Sequence, residues 1–279
     1  MRVSVIQMSP GSVKSDNIEQ ARTLIDGALL DDRPDIVTLP EMWTCLGGDR
    51  ATKLAEAERL PPPGSNEPGG PAYETLRTLA RTHKITVHGG SIAEAADNKL
   101  YNTTIVFGPQ GTEIARYRKI HLFDITTPEG TGYRESNTYG AGDQVVTVQA
   151  EGATLGLAIC YDLRFPELFL ELRRRGAEII FLPAAFTVPT GRDHWEVLIR
   201  ARAIETQCWM VAPATWGVHR DAKNDVRLTY GRSIIVDPWG TVTAQVSDGI
   251  GWATARIDRD LTQRTRANMP VLEHRRLHT

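Results

Sequence analysis

The chain has 279 residues and a formal net charge of -2, and 41% of its residues are hydrophobic. This length allows one large domain or two small ones, and the hydrophobic share is enough to build a substantial core. Because the charges nearly balance, the composition gives no reason to expect nucleic acid or an acidic membrane as a partner.

We expect no targeting segment at the N-terminus. Residues 1–6 enter a strand-like alternation at once, without a signal-peptide pattern. No apolar run approaches the roughly 20 residues that cross a bilayer. We therefore expect a cytoplasmic protein with no membrane partner.

The first half of the chain alternates strand-like and helix-like segments. Strands are predicted at 3–8, 35–39 and 85–89, and a helix from Pro71 to about His83. An earlier helix is indicated by apolar residues on one face, namely Ile18, Ala21, Leu24, Ile25, Ala28 and Leu29. Two more strands flank the turn sequence at 109–111.

The second half begins with an irregular stretch at about 121–143, rich in glycine and proline. A loop of that length inside a compact domain is usually functional or disordered. The predicted elements after it are a strand at 154–159, a helix at about 166–175, a strand at 178–182 and a helix at about 192–206. The rest is predicted as all strand, at 208–213, 231–236, 241–246 and 252–257, with a turn at 237–240.

One short sequence occurs twice. Residues 35–40 and 178–183 are both apolar strands that follow a helix and end in Leu-Pro. The repeat indicates two similar α/β halves. We see no linker that separates domains, only a Pro/Gly-rich loop at 61–71. We therefore expect a single domain over residues 1–279.

The cysteines are Cys45, Cys160 and Cys208. An odd, unclustered set argues against a disulfide framework. The common zinc patterns C-x-x-C and H-E-x-x-H are absent, and the spacing of His274 and His278 in a basic tail is weak evidence for a metal site. We expect neither a metal nor an organic cofactor.

Cys160 ends an apolar strand and is followed by a predicted turn into a helix. Such a turn presents a side chain at the edge of a sheet with backbone N–H groups nearby, which suits a nucleophile beside an oxyanion site. The alternative is a buried structural cysteine, the usual state of a free thiol. Cys45 and Cys208 are interpreted as packing residues.

Glu41 and Lys119 also follow predicted strands. Glu41 lies among Pro40, Met42 and Trp43, and such partial desolvation raises the pKa of a carboxylate toward the range of a general base. An ammonium such as Lys119 can stabilise an oxyanion without losing its proton. Taken singly, Glu41 could be an ordinary glutamate at the start of a helix and Lys119 a solvated lysine at the end of a strand. His121 is a further candidate base, for which the sequence identifies no Asn or Asp partner.

These residues lie within a series of short motifs that spans nearly the whole chain. The motifs are Leu39-Pro40-Glu41, the run from Tyr117 to Asp124, the run from Cys160 to Leu168, Leu182 to Phe186, Thr190-Gly191, His194 to Glu196, Arg200 to Gln207, and Asp237 to Gly240. In this order they resemble the nitrilase superfamily of carbon–nitrogen hydrolases. Each motif alone is modest evidence, whereas the ordered set is specific.

The resemblance implies a four-layer αββα sandwich of the α/β class. It also implies that Glu41 is the base, Cys160 the nucleophile and Lys119 the oxyanion stabiliser. Glu135 matches a second, supporting glutamate of the family, which would give the stretch at 121–143 a purpose. The backbone N–H of Tyr161 would be the other oxyanion donor.

The branches that this chain resembles most act on small carboxylated amides. The expected substrate is deaminated glutathione, cleaved to 2-oxoglutarate and cysteinylglycine. The alternatives are 2-oxoglutaramate, the substrate of ω-amidase, and another amide or an N-carbamoyl compound. More remote alternatives are a non-catalytic binding protein and a thiol redox protein.

Substrate contacts are expected from Tyr161, Phe186 and Arg164. The Arg164 fork could bind a carboxylate, or it could pair with Asp162 or Glu167 and only shape the turn. We expect a homo-oligomer of two or more chains.

Overall fold

The computed structural model of this protein describes residues 1–126, 130, 132–220 and 226–277. The α-helices are α1 (Lys14–Asp32), α2 (Arg50–Glu56), α3 (Pro71–His83), α4 (Pro166–Arg174), α5 (Val188–Thr206) and α6 (Arg259–Asn268), and 3₁₀ helices span Glu135–Asn137 and Cys160–Arg164. Within the described ranges, no helix is long and apolar enough to cross a membrane.

The strands fall into two halves of the chain. The first half contains β1 (Arg2–Gln7), β2 (Ile36–Thr38), β3 (Thr86–His88), β4 (Ile92–Ala96), β5 (Lys99–Phe107), β6 (Glu113–Arg118), β7 (Asp124–Thr126), β8 (Gly132–Arg134) and β9 (Tyr139–Gly140). The second half contains β10 (Thr147–Ala150), β11 (Ala153–Leu157), β12 (Ile179–Phe181), β13 (Trp209–Ala212), β14 (Trp216–Arg220), β15 (Val226–Tyr230), β16 (Ile234–Val236), β17 (Val242–Gln245) and β18 (Gly251–Arg256).

Each of the two large sheets has three parallel strands next to one another. The first has the order β18-β1-β2-β3-β5-β4, with β6 and β9 also paired to β5, and β1, β2 and β3 are parallel. The second has the order β10-β11-β12-β13-β16-β17, and β11, β12 and β13 are parallel. The two Leu-Pro sequences follow β2 and β12, the middle strands of these parallel triplets, so the repeat in the sequence corresponds to equivalent positions in the two sheets.

The strands pack as the inner layers of a four-layer sandwich. Alternation along β1 sends Val3 and Val5 to a core shared with the second sheet, whereas Ile6 and Met8 pack in the cluster that contains the buried residues of α1 and α3. Helices α4 and α5 contribute buried side chains to the core of the second sheet. The predicted αββα architecture is confirmed.

Helix α3 begins and ends where the sequence predicts, with Pro71 in its first turn, where a missing N–H costs nothing. The prediction that the chain ends entirely in strands is wrong, because α6 follows β18. The buried residues of α6 are Thr262 and Thr265, so its inner face carries little apolar periodicity to reveal it. The hairpin of β14 and β15 was also not predicted.

The stretch at 121–143 is more ordered than expected where the structure describes it. Strands β7 and β8 pair there, a 3₁₀ helix follows, and β9 adds to the first sheet beside β5. Of the residues that suggested a loop, Pro128 lies outside the described residues. The short 3₁₀ helix carries Glu135 toward the edge of the sandwich where β2 and β11 end.

Candidate active site

Three side chains meet where strands of both sheets end. Glu41 lies three residues after β2, Lys119 directly follows β6, and Cys160 lies three residues after β11. Glu41, Lys119 and Cys160 are all buried, with 4%, 2% and 6% of their surface exposed. Because β2 and β11 belong to the parallel parts of their sheets, these chain segments emerge at carboxyl ends, where open α/β sheets bind ligands.

The Lys119 ammonium is held between two carboxylates. Its Nζ donates to Glu41 Oε1 at 3.0 Å and to Glu135 Oε2 at 2.9 Å and Oε1 at 3.2 Å. Its backbone N–H donates to the Asn102 carbonyl at 2.9 Å, which continues the pairing of β6 with β5. The lysine is thus fixed at both its backbone and its charged end.

Asn102 on β5 also hydrogen-bonds to both carboxylates. Its Nδ2 donates to Glu41 Oε1 at 2.8 Å and to Glu135 Oε1 at 3.3 Å. Glu135 Oε2 also accepts from the Phe123 N–H at 2.6 Å. The orientation of Glu41 is therefore set by a charged and a neutral donor, and Glu135 is anchored to the loop after β6.

Cys160 sits at a strained position of its turn. Its φ is 47°, a left-handed conformation that usually costs a non-glycine residue on the order of 1–3 kcal/mol. The Cys160 N–H donates to the Pro183 carbonyl at 2.9 Å, and the preceding Ile159 N–H donates to Asp162 Oδ2 at 2.8 Å. These bonds hold the turn so that the thiol faces Glu41.

Asp162 is fully buried and links that turn to the segment that carries Lys119. Its Oδ2 accepts from the Tyr117 hydroxyl at 2.7 Å, and its Oδ1 accepts from the His121 N–H at 3.1 Å and contacts His121 Nδ1 at 2.7 Å. Tyr117 and His121 flank Lys119 at two residues on either side. His121, for which the sequence identified no acidic partner, is thus paired with Asp162 and stacked on Phe165.

The electrostatic balance keeps the resting thiol neutral. Burial raises the pKa of Cys160 well above its usual value, and the negative charge of Glu41 raises it further. Burial opposes ionisation of Glu41 as well, but Lys119 and a hydrogen bond with Cys160 lower the pKa of Glu41 below its usual value. Burial disfavours the charge of Lys119, yet Glu135 and Glu41 outweigh it and raise the lysine pKa. Glu41 is therefore ionised beside a protonated thiol.

A backbone donor at the sulfur escaped the sequence analysis. The Ala185 N–H hydrogen-bonds to Cys160 and stabilises its thiolate. Ala185 lies two residues after the second Leu-Pro sequence, so this donor comes from the segment that follows β12, the strand next to β11. Only the backbone is used, and for this reason no side-chain pattern could indicate it.

The thiol opens into a cavity of about 180 Å³. The lining residues are Glu41, Met42, Cys45, Leu46, Lys53, Asn102, Lys119, Phe123, Tyr133, Arg134, Glu135, Thr138, Tyr139, Cys160, Tyr161, Ala185, Phe186, Thr187, Thr190 and Arg227. The described lining contains four cationic side chains, of lysine and arginine, against two carboxylates. Such a wall favours an anionic ligand.

Two of the three residues predicted to contact the substrate line the cavity. Tyr161 and Phe186 line it, whereas Arg164 is not part of its described wall. The Arg164 guanidinium lies 5.8 Å from the Tyr161 ring centroid and 5.6 Å from that of Phe186, and its Nη2 is 3.2 Å from His194 Nδ1. Its role in substrate binding stays a prediction.

The two other cysteines differ in position. Cys45 lines the cavity, with its thiol directed to the Ser12 carbonyl at 3.7 Å. Cys208 is buried elsewhere in the core and contacts Arg266 Nη2 at 3.3 Å.

Among the described residues, no group of three or more His, Cys, Asp or Glu side chains could hold a metal ion. His278 of the spaced histidine pair lies outside those residues.

Comparison with known proteins identifies the family of this chain. Residues 2–267 match the carbon-nitrogen hydrolase family. A deaminated glutathione amidase of Synechocystis sp. is 38% identical over 277 residues, covering 98% of this chain and 97% of the relative. The human protein of the same name is 38% identical over 281 residues, covering 98% and 82%.

A solved structure shares the fold as well. The crystal structure of Saccharomyces cerevisiae Nit3, a member of branch 10 of the nitrilase superfamily, superposes with a TM-score of 0.87 at 31% identity. The match covers 99% of this chain and 97% of that one. The chain belongs to the carbon-nitrogen hydrolase family of the nitrilase superfamily. It is an enzyme that hydrolyses carbon–nitrogen bonds.

The coupling of Glu41 and Cys160 predicts the pH dependence of thiol alkylation. Because the Glu41 charge raises the thiol pKa, Glu41→Gln should lower the apparent pKa at which iodoacetamide modifies Cys160. The measurement is the alkylation rate against pH, with the modified peptide identified by mass spectrometry. Glu196→Gln, at an exposed position of α5, is the control. An apparent pKa that stays the same or rises in Glu41→Gln would contradict the electrostatic account.

Proposed function

We propose that this protein is a cysteine-dependent amidase that cleaves the amide bond of a small carboxylated substrate through a thioester on Cys160. The observation that carries the proposal is the buried contact of Lys119 with Glu41 and Glu135 beside a protonated thiol, in a cavity rich in cations. This set supplies a base, a nucleophile and a fixed positive charge within one small space.

In the first half of the reaction, Glu41 accepts the thiol proton as Cys160 attacks the amide carbonyl. The negative charge that develops on the carbonyl oxygen is stabilised by the Lys119 ammonium and by a backbone N–H of the nucleophile turn, for which Tyr161 is the candidate. Glu41 then returns the proton to the departing amine. The C–N bond breaks and the acyl group remains on sulfur.

In the second half, water enters where the amine left. Glu41 accepts a proton from this water, which attacks the thioester carbonyl, and the same donors stabilise the second oxyanion. Collapse releases the acid, and the proton held by Glu41 returns to the thiolate. The net reaction consumes one water and needs no redox step.

Glu135 and Asn102 act on the catalytic residues rather than on the substrate. Glu135 adds a second negative charge beside Lys119 and so keeps the ammonium protonated through both oxyanion steps. Asn102 holds Glu41 Oε1 in place. The carboxylate therefore keeps the orientation in which it exchanges protons with the thiol, the amine and water. Both are positioning residues.

We propose deaminated glutathione as the substrate, hydrolysed to 2-oxoglutarate and cysteinylglycine. Relatives in Synechocystis sp. and in human, at 38% identity, carry the name deaminated glutathione amidase. The cavity of about 180 Å³ is below the roughly 300 Å³ typical of sites that enclose larger ligands. It therefore suits the 2-oxoglutaryl half, with cysteinylglycine leaving through the mouth. The alternative is 2-oxoglutaramate, which has the same acyl group.

Removing the charge of Lys119 should remove catalysis. Lys119→Met retains much of the bulk but stabilises no oxyanion, so kcat should fall at least about 100-fold, as for loss of an oxyanion donor. Steady-state kinetics measures this, with circular dichroism to confirm the fold, because breaking a buried ion pair also costs stability. Lys99→Met, at an exposed position of β5, is the matched control. A folded Lys119→Met protein with more than half of the wild-type kcat would contradict the assigned role.

The leaving group should distinguish the two candidate substrates. Cysteinylglycine offers binding energy that ammonia cannot, and such energy raises kcat/KM if it is used in the transition state. We expect a higher kcat/KM for deaminated glutathione than for 2-oxoglutaramate, measured side by side by release of 2-oxoglutarate. The reverse order would assign the ω-amidase activity instead and leave the catalytic residues unchanged.

A further inference from the structure

Arg227 is a cation in the cavity wall that catalysis, as proposed above, does not use. It lies on β15, in the hairpin that was not predicted from the sequence, and lines the cavity together with Tyr133. Its Nη2 donates to the Ala185 carbonyl at 2.7 Å, and its guanidinium carbon lies 5.9 Å from the Tyr133 ring centroid. The side chain is therefore held at its tip rather than free in solvent.

Ala185 connects this guanidinium to the nucleophile. Its N–H bonds to Cys160 while its carbonyl accepts from Arg227, so the sulfur and the guanidinium contact opposite ends of one residue. Ordinary bond and hydrogen-bond lengths then place the guanidinium within about 10 Å of the sulfur. A five-carbon acyl chain attached to the sulfur reaches about 7 Å to its terminal carboxylate carbon, which leaves one hydrogen-bond length.

Within the part of the chain that the structure describes, the guanidinium has N–H donors that no acceptor uses. It carries five N–H groups, and the bond to Ala185 uses one of them. Its Nε is buried and has no hydrogen-bond acceptor among the residues that the structure describes. A carboxylate in the cavity would satisfy this cation with two parallel hydrogen bonds.

Other arginines are placed less well for this role. Arg134 lines the cavity but is exposed, and its Nη1 donates to the Ile125 and Tyr133 carbonyls at 2.6 Å and 2.8 Å. Arg164 lies behind the aromatic rings of Tyr161 and Phe186, outside the described wall. Arg227 is the cation that combines partial burial, an anchored tip and a link to the nucleophile.

We propose that Arg227 binds the distal carboxylate of the acyl group and thereby favours amides that carry this second carboxylate over neutral amides, which rests on the amidase function proposed above. The carboxylate at one end of the acyl chain would contact Arg227 while the reacting carbonyl is held at Cys160, because a five-carbon chain is long enough to span the two residues.

The test compares wild type, Arg227→Lys and Arg227→Gln on 2-oxoglutaramate and on pentanamide, a neutral amide of equal chain length. Loss of charged hydrogen bonds should lower kcat/KM for 2-oxoglutaramate about 10–100-fold in Arg227→Gln, and less in Arg227→Lys. For pentanamide the change should stay below about 3-fold. Arg174→Gln, on the outer helix α4, is the matched control for loss of an arginine, and melting temperatures report on folding.

An equal loss of kcat/KM on both amides, or no loss on either, would overturn the role of Arg227. The amidase function would still stand in that case if the wild type hydrolyses 2-oxoglutaramate. If wild type hydrolyses pentanamide and not 2-oxoglutaramate, the carboxylate specificity and this inference both fail.

A binding measurement is independent of turnover. Calorimetry with 2-oxoglutarate should show binding to Cys160→Ala that is at least about 10-fold weaker in Cys160→Ala/Arg227→Gln. Equal affinity of the two proteins, or no binding to Cys160→Ala, would reject the inference even if no amide is hydrolysed.

Discussion

The site depends on one buried ammonium shared by two carboxylates. Removing a lysine and a glutamate from water costs several kcal/mol per ion, which mutual attraction offsets only when further hydrogen bonds complete the geometry. Here Lys119 contacts Glu41 and Glu135, and Asn102 and the Phe123 N–H satisfy the carboxylates. In the proposed mechanism the arrangement holds a full positive charge against the place where an oxyanion forms. It also keeps Glu41 ionised next to a thiol that burial keeps protonated.

The sandwich explains how groups far apart in sequence reach this contact. Glu41 follows a middle strand of the first sheet, whereas Cys160 follows a strand of the second, and the core between the sheets fixes the separation of the two edges. Asp162 then ties the nucleophile turn to Tyr117 and His121, on either side of Lys119. A shift of one sheet over the other would break these bonds and move Glu41 away from Cys160.

The sequence indicates well which residues follow the ends of strands. It indicates poorly which side chains then contact one another in the fold. Glu41, Lys119 and Cys160 each follow an apolar strand, and the ordered motifs bring them into one family. Asn102 and Arg227 carry no such signal, because their positions beside the site come from strand pairing, of β5 with β6 and of β14 with β15. His121 appeared to lack an acidic partner because Asp162 is 41 residues away in sequence and adjacent only in the fold. Helix α6 was missed because its buried face presents threonines.

The most direct test of the account is detection of the acyl-enzyme. Wild-type protein turning over 2-oxoglutaramate is quenched in acid, digested and analysed by mass spectrometry, with Cys160→Ala treated in parallel. The account predicts a 2-oxoglutaryl thioester on the peptide that contains Cys160, unmodified Cys45 and Cys208, and neither adduct nor turnover in Cys160→Ala. Turnover by Cys160→Ala, or an adduct confined to Cys45, would contradict it.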